Sequence, residues 1–314
     1  MATIFFTGFP GFLGVELLPR VLGRRRDDRA VCLVQAKFAA LARSKAEELA
    51  ARDPSLAGRI ALVEGDITRP GLGLADAGAL AADVVELWHL AAVYDLAVPR
   101  QVGLKVNVEG TRNVLDFAEG CPRLERFQYV STCYVSGRHQ GIFTEDDLEK
   151  GQAFNNFYEE TKYLAEVDVR ARMARGLPAT IYRPAVVVGD SATGATQKYD
   201  GPYYVMQWLL RQPLPLDVAI MPTVGDLRAE FNVVPRDFVI SAIAHLSGIP
   251  GSKGRTYQLA DPSPLRVSEI LSETARATGK RIVRVPLTKN LAKAAIERVP
   301  GVYQLMKIPS PAID

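Results

Sequence analysis

The sequence predicts an α/β protein built on a doubly wound parallel sheet, and two observations carry that reading. One is the glycine spacing of Thr7-Gly8-Phe9-Pro10-Gly11-Phe12-Leu13-Gly14, set between an apolar run and a helical pattern. The other is the alternation of short β-rich runs with helical stretches through about the first 130 residues, the order expected of parallel strands joined by right-handed crossovers. No internal repeat or low-complexity segment interrupts it.

Ala2-Thr3-Ile4-Phe5-Phe6 reads as the first strand, and Val15-Glu16-Leu17-Leu18 opens the first helix. Glycines at 8, 11 and 14 let the chain turn sharply, leave room for a pyrophosphate and allow close helix–strand packing, while the helix N-terminus offers free N–H groups to an anion. Phe9, Pro10, Phe12 and Leu13 belong to the same candidate cofactor turn. The spacing is G-x-x-G-x-x-G rather than G-x-G-x-x-G, and three glycines also suit an ordinary βα turn. The helix is expected to end at Gly23. Arg24-Arg25-Arg26-Asp27-Asp28 then reads as a solvated loop at the edge of the sheet opposite the ligand side.

Ala30 to Val34 is the second strand, and its carboxyl end is where a dinucleotide's adenosine ribose is read. Gln35-Ala36-Lys37 follows, with Arg43 and Lys45 close behind and no carboxylate to accept from a 2′-hydroxyl. That favours NADP over NAD, although the same cations also suit the surface of a helix. Ile60 to Ile67 is a strand ending in Gly65-Asp66, and Val84 to Ala92 another ending in Ala91-Ala92. Asp66 can accept from an adenine amino group and Ala91-Ala92 can let a cofactor approach the backbone. Each also reads as a turn or a tightly packed loop. Asn107 to Leu115 is expected to open a helix, and Phe127 to Val130 is a buried-type strand.

Composition fits a soluble globular chain of 314 residues with 48% apolar and 23% charged residues. A net charge of +3 argues for neither a nucleic-acid nor a membrane-surface partner. Cys32, Cys121 and Cys133 show neither metal-ligand spacing nor a disulfide framework, and His89, His139 and His245 are the only histidines. A metal site is therefore not expected. The N-terminus carries no leader-like segment and no apolar run reaches about eighteen residues, so a cytoplasmic protein without an integral membrane segment is expected.

The chemistry is concentrated in two places. Ser131-Thr132 stands directly after the strand ending at Val130, and about 26 residues further on comes Tyr158-Glu159-Glu160-Thr161-Lys162 at the start of a helical pattern. Tyr158 and Lys162 then share one helix face a turn apart. An ammonium beside a phenol favours the phenolate, which eases proton transfer near neutral pH. A hydroxyl from Ser131 or Thr132 can hold a substrate carbonyl oxygen while hydride arrives from a nicotinamide.

Together these motifs make the chain resemble the short-chain dehydrogenase/reductase superfamily of extended type: TGFPGFLG, GDI at 65 to 67, HLAA at 89 to 92, NVEGT at 107 to 111, ST at 131 and 132, YEETK at 158 to 162 and YRPAVVVGD at 182 to 190. The likeness covers roughly residues 1 to 260. It implies a Rossmann-type core over 1–185, with returning segments near 225–260, and a smaller, mainly substrate-binding region over 186–314. It implies Tyr158 as proton donor, Lys162 as partner of the nicotinamide ribose and promoter of Tyr158, and Thr132 as the third member, with Ser131 as the alternative. It further implies that Asn107 supports the active-site backbone and that Arg183, Pro184 and Val186 lie beside the nicotinamide. CLVQAK at 32 to 37, HLAAVYDLAVP at 89 to 99, NVEGTRNVL at 107 to 115 and GDSATGATQKYDGPYY at 189 to 204 are similar to the branch of fatty acyl-CoA reductases and thioester reductase domains. That branch implies NADPH-dependent reduction of a CoA-bound or carrier-bound acyl thioester to an aldehyde, or on to an alcohol. It commonly has Arg where this chain has Gln35.

The remainder is less explicit. Tyr203 to Leu210 suits either core or an acyl-chain tunnel; Pro235 begins a helix, Tyr257 to Ala260 is a strand, and Val267 to Thr278 is helical. The amphipathic stretch from Asn290 to Lys307 suits a cap over the cleft, a membrane surface or a homodimer contact, and relatives of this kind continue past residue 314. Two rival functions share the same fold: an NAD(P)-dependent nucleotide-sugar epimerase or dehydratase, and a non-catalytic dinucleotide-sensing protein.

Overall fold

A computed structural model describes residues 2–94, 98–197, 199, 202–212, 217–223 and 226–286. The stretch from Asn290 to Lys307 lies outside the described residues.

The first strand, β1 (Thr3–Thr7), is wholly buried, because both of its faces are covered by helices. Ile4 and Phe6 point into one apolar cluster and Phe5 into another, the period of two expected of a strand. The first cluster packs against α1 (Gly14–Arg24); the second lies on the opposite face. Around β1 the described residues place β2 (Arg29–Val34), β3 (Ile60–Glu64), β4 (Val84–His89), β5 (Arg126–Val130), β6 (Ala179–Pro184) and a further strand at Thr256–Leu259. They form a seven-stranded sheet in which all pairings are parallel and the order outward from β3 is β3-β2-β1-β4-β5-β6, with Thr256–Leu259 at the far edge. The order reverses between β1 and β4, so a crevice opens there at the carboxyl ends of the strands. The expected α/β class, with its Rossmann-type sheet, is what the chain adopts.

Several elements differ from the sequence reading. The helix expected to open at Asn107 begins earlier, as a turn at Arg100–Gly103, passes through a π-helical segment at Leu104–Glu109, and continues as Gly110–Glu119. Asn107 sits inside the wide turn rather than at a cap; such turns carry no propensity signature and often occur at functional sites. The basic run after α1 is not simply solvated either. Arg24 and Arg25 both pair with Glu86, which is 1% exposed, at 3.0 and 2.8 Å. A buried carboxylate without partners is costly, and these two cations supply them at the end of the sheet away from the crevice.

Outside the main sheet, Val186–Val188 pairs with Val233–Pro235 and Val218–Thr223 with Arg281–Pro286. Helix Arg236–Gly248 returns over α1, where Val239, Ile240 and Ile243 join its core cluster. Tyr203 lies on helix Pro202–Arg211 and its Oη accepts from the Gly189 N–H at 2.7 Å.

Candidate active site

A cavity of about 640 Å³ follows the carboxyl edge of the sheet from the glycine turn to the helix carrying Tyr158. Gly8 to Gly14, Gln35, Asp66, Ile67, Ala91, Ala92, Ser131, Thr132, Tyr158, Lys162, Pro184 and Val186 line it; Lys37, Arg43, Asn107 and Arg183 do not. Residues 120 and more positions apart in the chain thus share one wall.

The glycine turn fits a dinucleotide pyrophosphate. Gly8 has φ +92°, and a Cβ there would come within 2.8 Å of the Ala91 nitrogen; at Gly11 and Gly14 a Cβ would meet the Gly8 carbonyl oxygen at 2.7 and 2.6 Å. Each position therefore tolerates only hydrogen, and the cradle at the start of α1 stays open to an anion. Gly8→Ala is expected to weaken NADPH binding at least about tenfold and to lower the melting temperature, since backbone in the left-handed region costs a side-chain-bearing residue about 1–2 kcal/mol. Fluorescence titration and thermal melting check both.

At the β2 end, Gln35 Nε2 donates to Asp66 Oδ2 at 2.9 Å, while Asp66 Oδ1 accepts from the backbone and hydroxyl of Thr68, both at 2.8 Å. Burial opposes ionisation of Asp66, but these hydrogen bonds outweigh it and hold the carboxyl below its ordinary range. Lys37 and Arg43 are exposed, the Lys37 ammonium resting 4.9 Å from the centroid of the Phe38 ring. Phe38 and Leu41 line the cavity instead; the sequence reading names neither.

The chemical end is built by β5, the Phe157–Met173 helix and β6. Asn156 caps that helix by accepting from the Glu159 N–H at 2.9 Å, which places Tyr158 in its first turn. Thr132 caps a short turn at Cys133–Ser136, its Oγ1 accepting from the Tyr134 N–H at 3.3 Å. Tyr158 is buried with its ring edge-on to Tyr94, centroids 4.8 Å apart. Lys162 donates to Tyr129 Oη at 3.0 Å and to the Val130 carbonyl at 2.9 Å. Burial lowers its pKa to about 8, with the Glu166 carboxylate acting in the opposite sense.

Two expectations change here. The Tyr158 phenol is not lowered: burial pushes it well above its ordinary value, and the nearby Thr132 hydroxyl offsets only part of that. At neutral pH the phenol is thus in its acid form, which suits donation of a proton to a carbonyl oxygen. Arg183, expected beside the nicotinamide, is fully buried on the other face of β6, where its guanidinium meets Glu166 Oε1 at 2.7 Å. Strand alternation accounts for this, because Pro184 faces the cavity and its neighbour must face away. Ser131 donates to Glu166 Oε2 at 2.6 Å, whereas the Thr132 hydroxyl makes only a long contact to the Pro184 carbonyl, at 3.4 Å, so Thr132 is the hydroxyl of the pair more easily turned to the cavity. Asn107, behind the wall, brackets residue 93 by accepting from the Val93 N–H at 2.8 Å and donating to its carbonyl at 3.2 Å. Tyr94, Tyr134 and Val106 complete the wall near Tyr158; Tyr94 falls within the HLAAVYDLAVP stretch, but the sequence reading assigns none of the three to the site.

Comparison with known proteins is consistent with this architecture. The family model described as male sterility protein, an NAD-binding family, matches residues 6–243. The chain is similar to the terminal R domain from the myxalamid PKS-NRPS biosynthetic pathway, at TM-score 0.82 and 31% identity over all of this chain and 80% of that one. It is also similar to the reductase (R) domain of a non-ribosomal peptide synthetase from Mycobacterium tuberculosis, at TM-score 0.70 and 25% identity over 98% and 78%. Among curated proteins it is 31% identical to a linear gramicidin synthase of Brevibacillus parabrevis over 85% of this chain and 5% of that protein, and 29% identical to aldehyde reductase lnbA of Aspergillus flavus over 83% and 26%. The chain therefore spans well under two thirds of these curated relatives' length. Among the described residues no helix is long and apolar enough to cross a membrane. With the family match covering most of the chain and the glycine cradle, Ser-Thr pair, Tyr158 and Lys162 in one cavity, the chain belongs to the NAD-binding male sterility protein family, in the reductase branch of the extended short-chain dehydrogenases/reductases, and is an NAD(P)-dependent oxidoreductase.

Proposed function

We propose that the chain is an NADPH-dependent reductase of a carrier-bound acyl thioester, releasing an aldehyde and a free thiol, with Thr132, Tyr158 and Lys162 as its catalytic set. The observation that carries this reading is the single cavity joining those three residues to the glycine cradle. The likeness to terminal reductase domains of peptide and polyketide assembly lines supports a carrier-bound substrate over a free one.

The glycine cradle, Gln35, Asp66 and Ala91-Ala92 would hold the dinucleotide, and Lys162 its nicotinamide ribose. When bound, the reduced nicotinamide supplies a hydride. As the thioester carbonyl carbon accepts it, charge develops on oxygen, and the hydroxyls of Thr132 and Tyr158 are the donors available to meet that charge. Tyr158 then gives its proton to the oxygen, forming a hemithioacetal. Its collapse breaks the C–S bond, and the hydroxyl proton ends on the departing sulfur. Tyr94, Tyr134 and Val106 offer the acyl group an apolar wall.

The test is NADPH absorbance with carrier-bound acyl thioesters, acyl-CoAs, aldehydes and nucleotide sugars, with thiol release measured in parallel. One thiol freed per NADPH oxidised in the first two-electron step is the expected result. Conversion of a nucleotide sugar without net NADPH oxidation would replace this reading with an epimerase or dehydratase. Dinucleotide binding without turnover of any substrate would replace it with a sensor. Because Gln35 follows β2 with no carboxylate directly after it, and Lys37 and Arg43 stand exposed just beyond although outside the cavity lining, kcat/KM with NADPH is expected to exceed that with NADH at least about tenfold. Equal use of the two would remove the NADP preference.

A further inference from the structure

Behind the catalytic wall runs a chain of buried polar groups that the reaction above does not use. Lys162 Nζ lies 3.0 Å from Tyr129 Oη and 4.5 Å from the centroid of that ring. The Thr111 side chain lies near the Tyr129 hydroxyl and works against the burial that raises that phenol. Thr111 Oγ1 donates to the Asn107 carbonyl at 2.6 Å and lies 3.0 Å from His89 Nε2. His89 Nδ1 lies 2.8 Å from the hydroxyl of Thr7, the residue before Gly8, and Thr7 accepts from the Ala91 N–H at 3.3 Å. Thr7, His89, Thr111, Tyr129 and Lys162 are all at most 3% exposed.

Counting donors fixes the direction of the bonds around His89. The one Thr111 proton goes to Asn107, so Thr111 accepts from His89, which is then the Nε2–H tautomer. His89 Nδ1 then accepts from Thr7. This agrees with a neutral imidazole, whose pKa burial and the charge of Lys162 depress to about 3. Tyr129 accepts from Lys162, and the lone pair it offers stabilises an ammonium over a neutral amine. Lys162 gives one N–H to Tyr129 and one to Val130, leaving the third for the cavity.

We propose that Tyr129 is a positioning residue for Lys162, holding its ammonium charged and aimed at the cofactor, and that Thr111 and His89 tie that arrangement to Thr7 at the root of the glycine turn. This rests on the reading that Lys162 serves catalysis. The charged or titratable groups around Lys162 are Glu166 and Tyr158 on its own helix, Tyr129 from β5 and His89 from β4; Glu166 is itself engaged by Arg183 from β6 and by Arg170. Of these, Tyr129 makes the direct hydrogen bond to Nζ.

The experiment is the pH profile of kcat and KM, from pH 6 to 10, for NADPH-dependent reduction of the best substrate by the wild type, Tyr129→Phe, Thr111→Val and Lys162→Met. In the wild type kcat/KM is expected to fall as pH rises through about 8, where Lys162 loses its proton. Tyr129→Phe should move that limb down by about one pH unit, cut kcat about threefold at pH 7.5 and recover much of it at pH 6.5, with substrate KM nearly unchanged. Thr111→Val, which removes the hydroxyl next to Tyr129, should move the limb the same way by less, and it stands as the test if Tyr129→Phe does not fold. A limb left in place in both variants, or a loss equal at every pH, overturns the proposal while leaving the catalytic reading intact. Full activity in Lys162→Met would overturn both.

Discussion

Tyr158→Phe is expected to lower kcat for thioester reduction by about a thousandfold while leaving NADPH affinity within about twofold, the range in which removal of a general acid acts without disturbing binding. The ring stays where it is, because its packing against Tyr94, with ring planes at 82°, does not use the hydroxyl. What is lost is the donor that meets the developing oxyanion and then protonates it. Burial holds that phenol far above its ordinary value, so below pH 10 the rate should show no limb from its ionisation. The fall above about pH 8 belongs to Lys162, which is charged below that value and neutral above it, and Lys162→Met should lack it. Single-turnover measurements with NADPH prebound separate the chemical step from release. If Tyr158→Phe turned over every accepted carbonyl substrate at the wild-type rate, Tyr158 would have no part in proton transfer.

What was legible in the sequence was local. The strand, glycine turn and helix at 3–24 are written in a contiguous pattern, and a Tyr and Lys four apart fall on one face of any helix. What was not legible depends on distant partners. The Lys162–Tyr129 contact joins residues 33 apart and inverts the expected relation of Lys162 to Tyr158, whose phenol responds first to burial, a quantity no spacing reports. Arg24 and Arg25 look like solvated cations until the fold brings Glu86 beneath them. Phe38 and Leu41 stand in no motif, yet the cavity runs along the exposed surface that they occupy. Arg183 is the exception, since period-two alternation along Ile181-Tyr182-Arg183-Pro184 already sets it opposite Pro184. Tyr182 falls in the core cluster beside α1 and Ile181 in the one on the other face, which Arg183 shares with Glu166.

That buried pair carries the largest expected effect on stability. Glu166 and Arg183 are both fully buried and meet at 2.7 Å; Glu166 also accepts from Ser131 and Arg170, and Arg183 donates to the carbonyls of Thr144 and Asp147 at 3.1 and 2.7 Å. The pair thus pins the segment before the Phe157–Met173 helix to the sheet and fixes the strand end that bears Thr132. Arg183→Met leaves a buried carboxylate with one guanidinium fewer, and Glu166→Leu leaves a buried guanidinium facing only carbonyls. Each is expected to cost about 3–5 kcal/mol, a large share of the roughly 5–15 kcal/mol that holds a domain folded. The double variant removes both charges and replaces them with apolar groups, so it should lose clearly less than the sum of the singles, with a coupling of about 1–3 kcal/mol. Chemical denaturation of the three variants measures this. Singles within about 0.5 kcal/mol of wild type would mean that water reaches the pair, and additive losses would mean that the two side chains stabilise the fold independently rather than through each other.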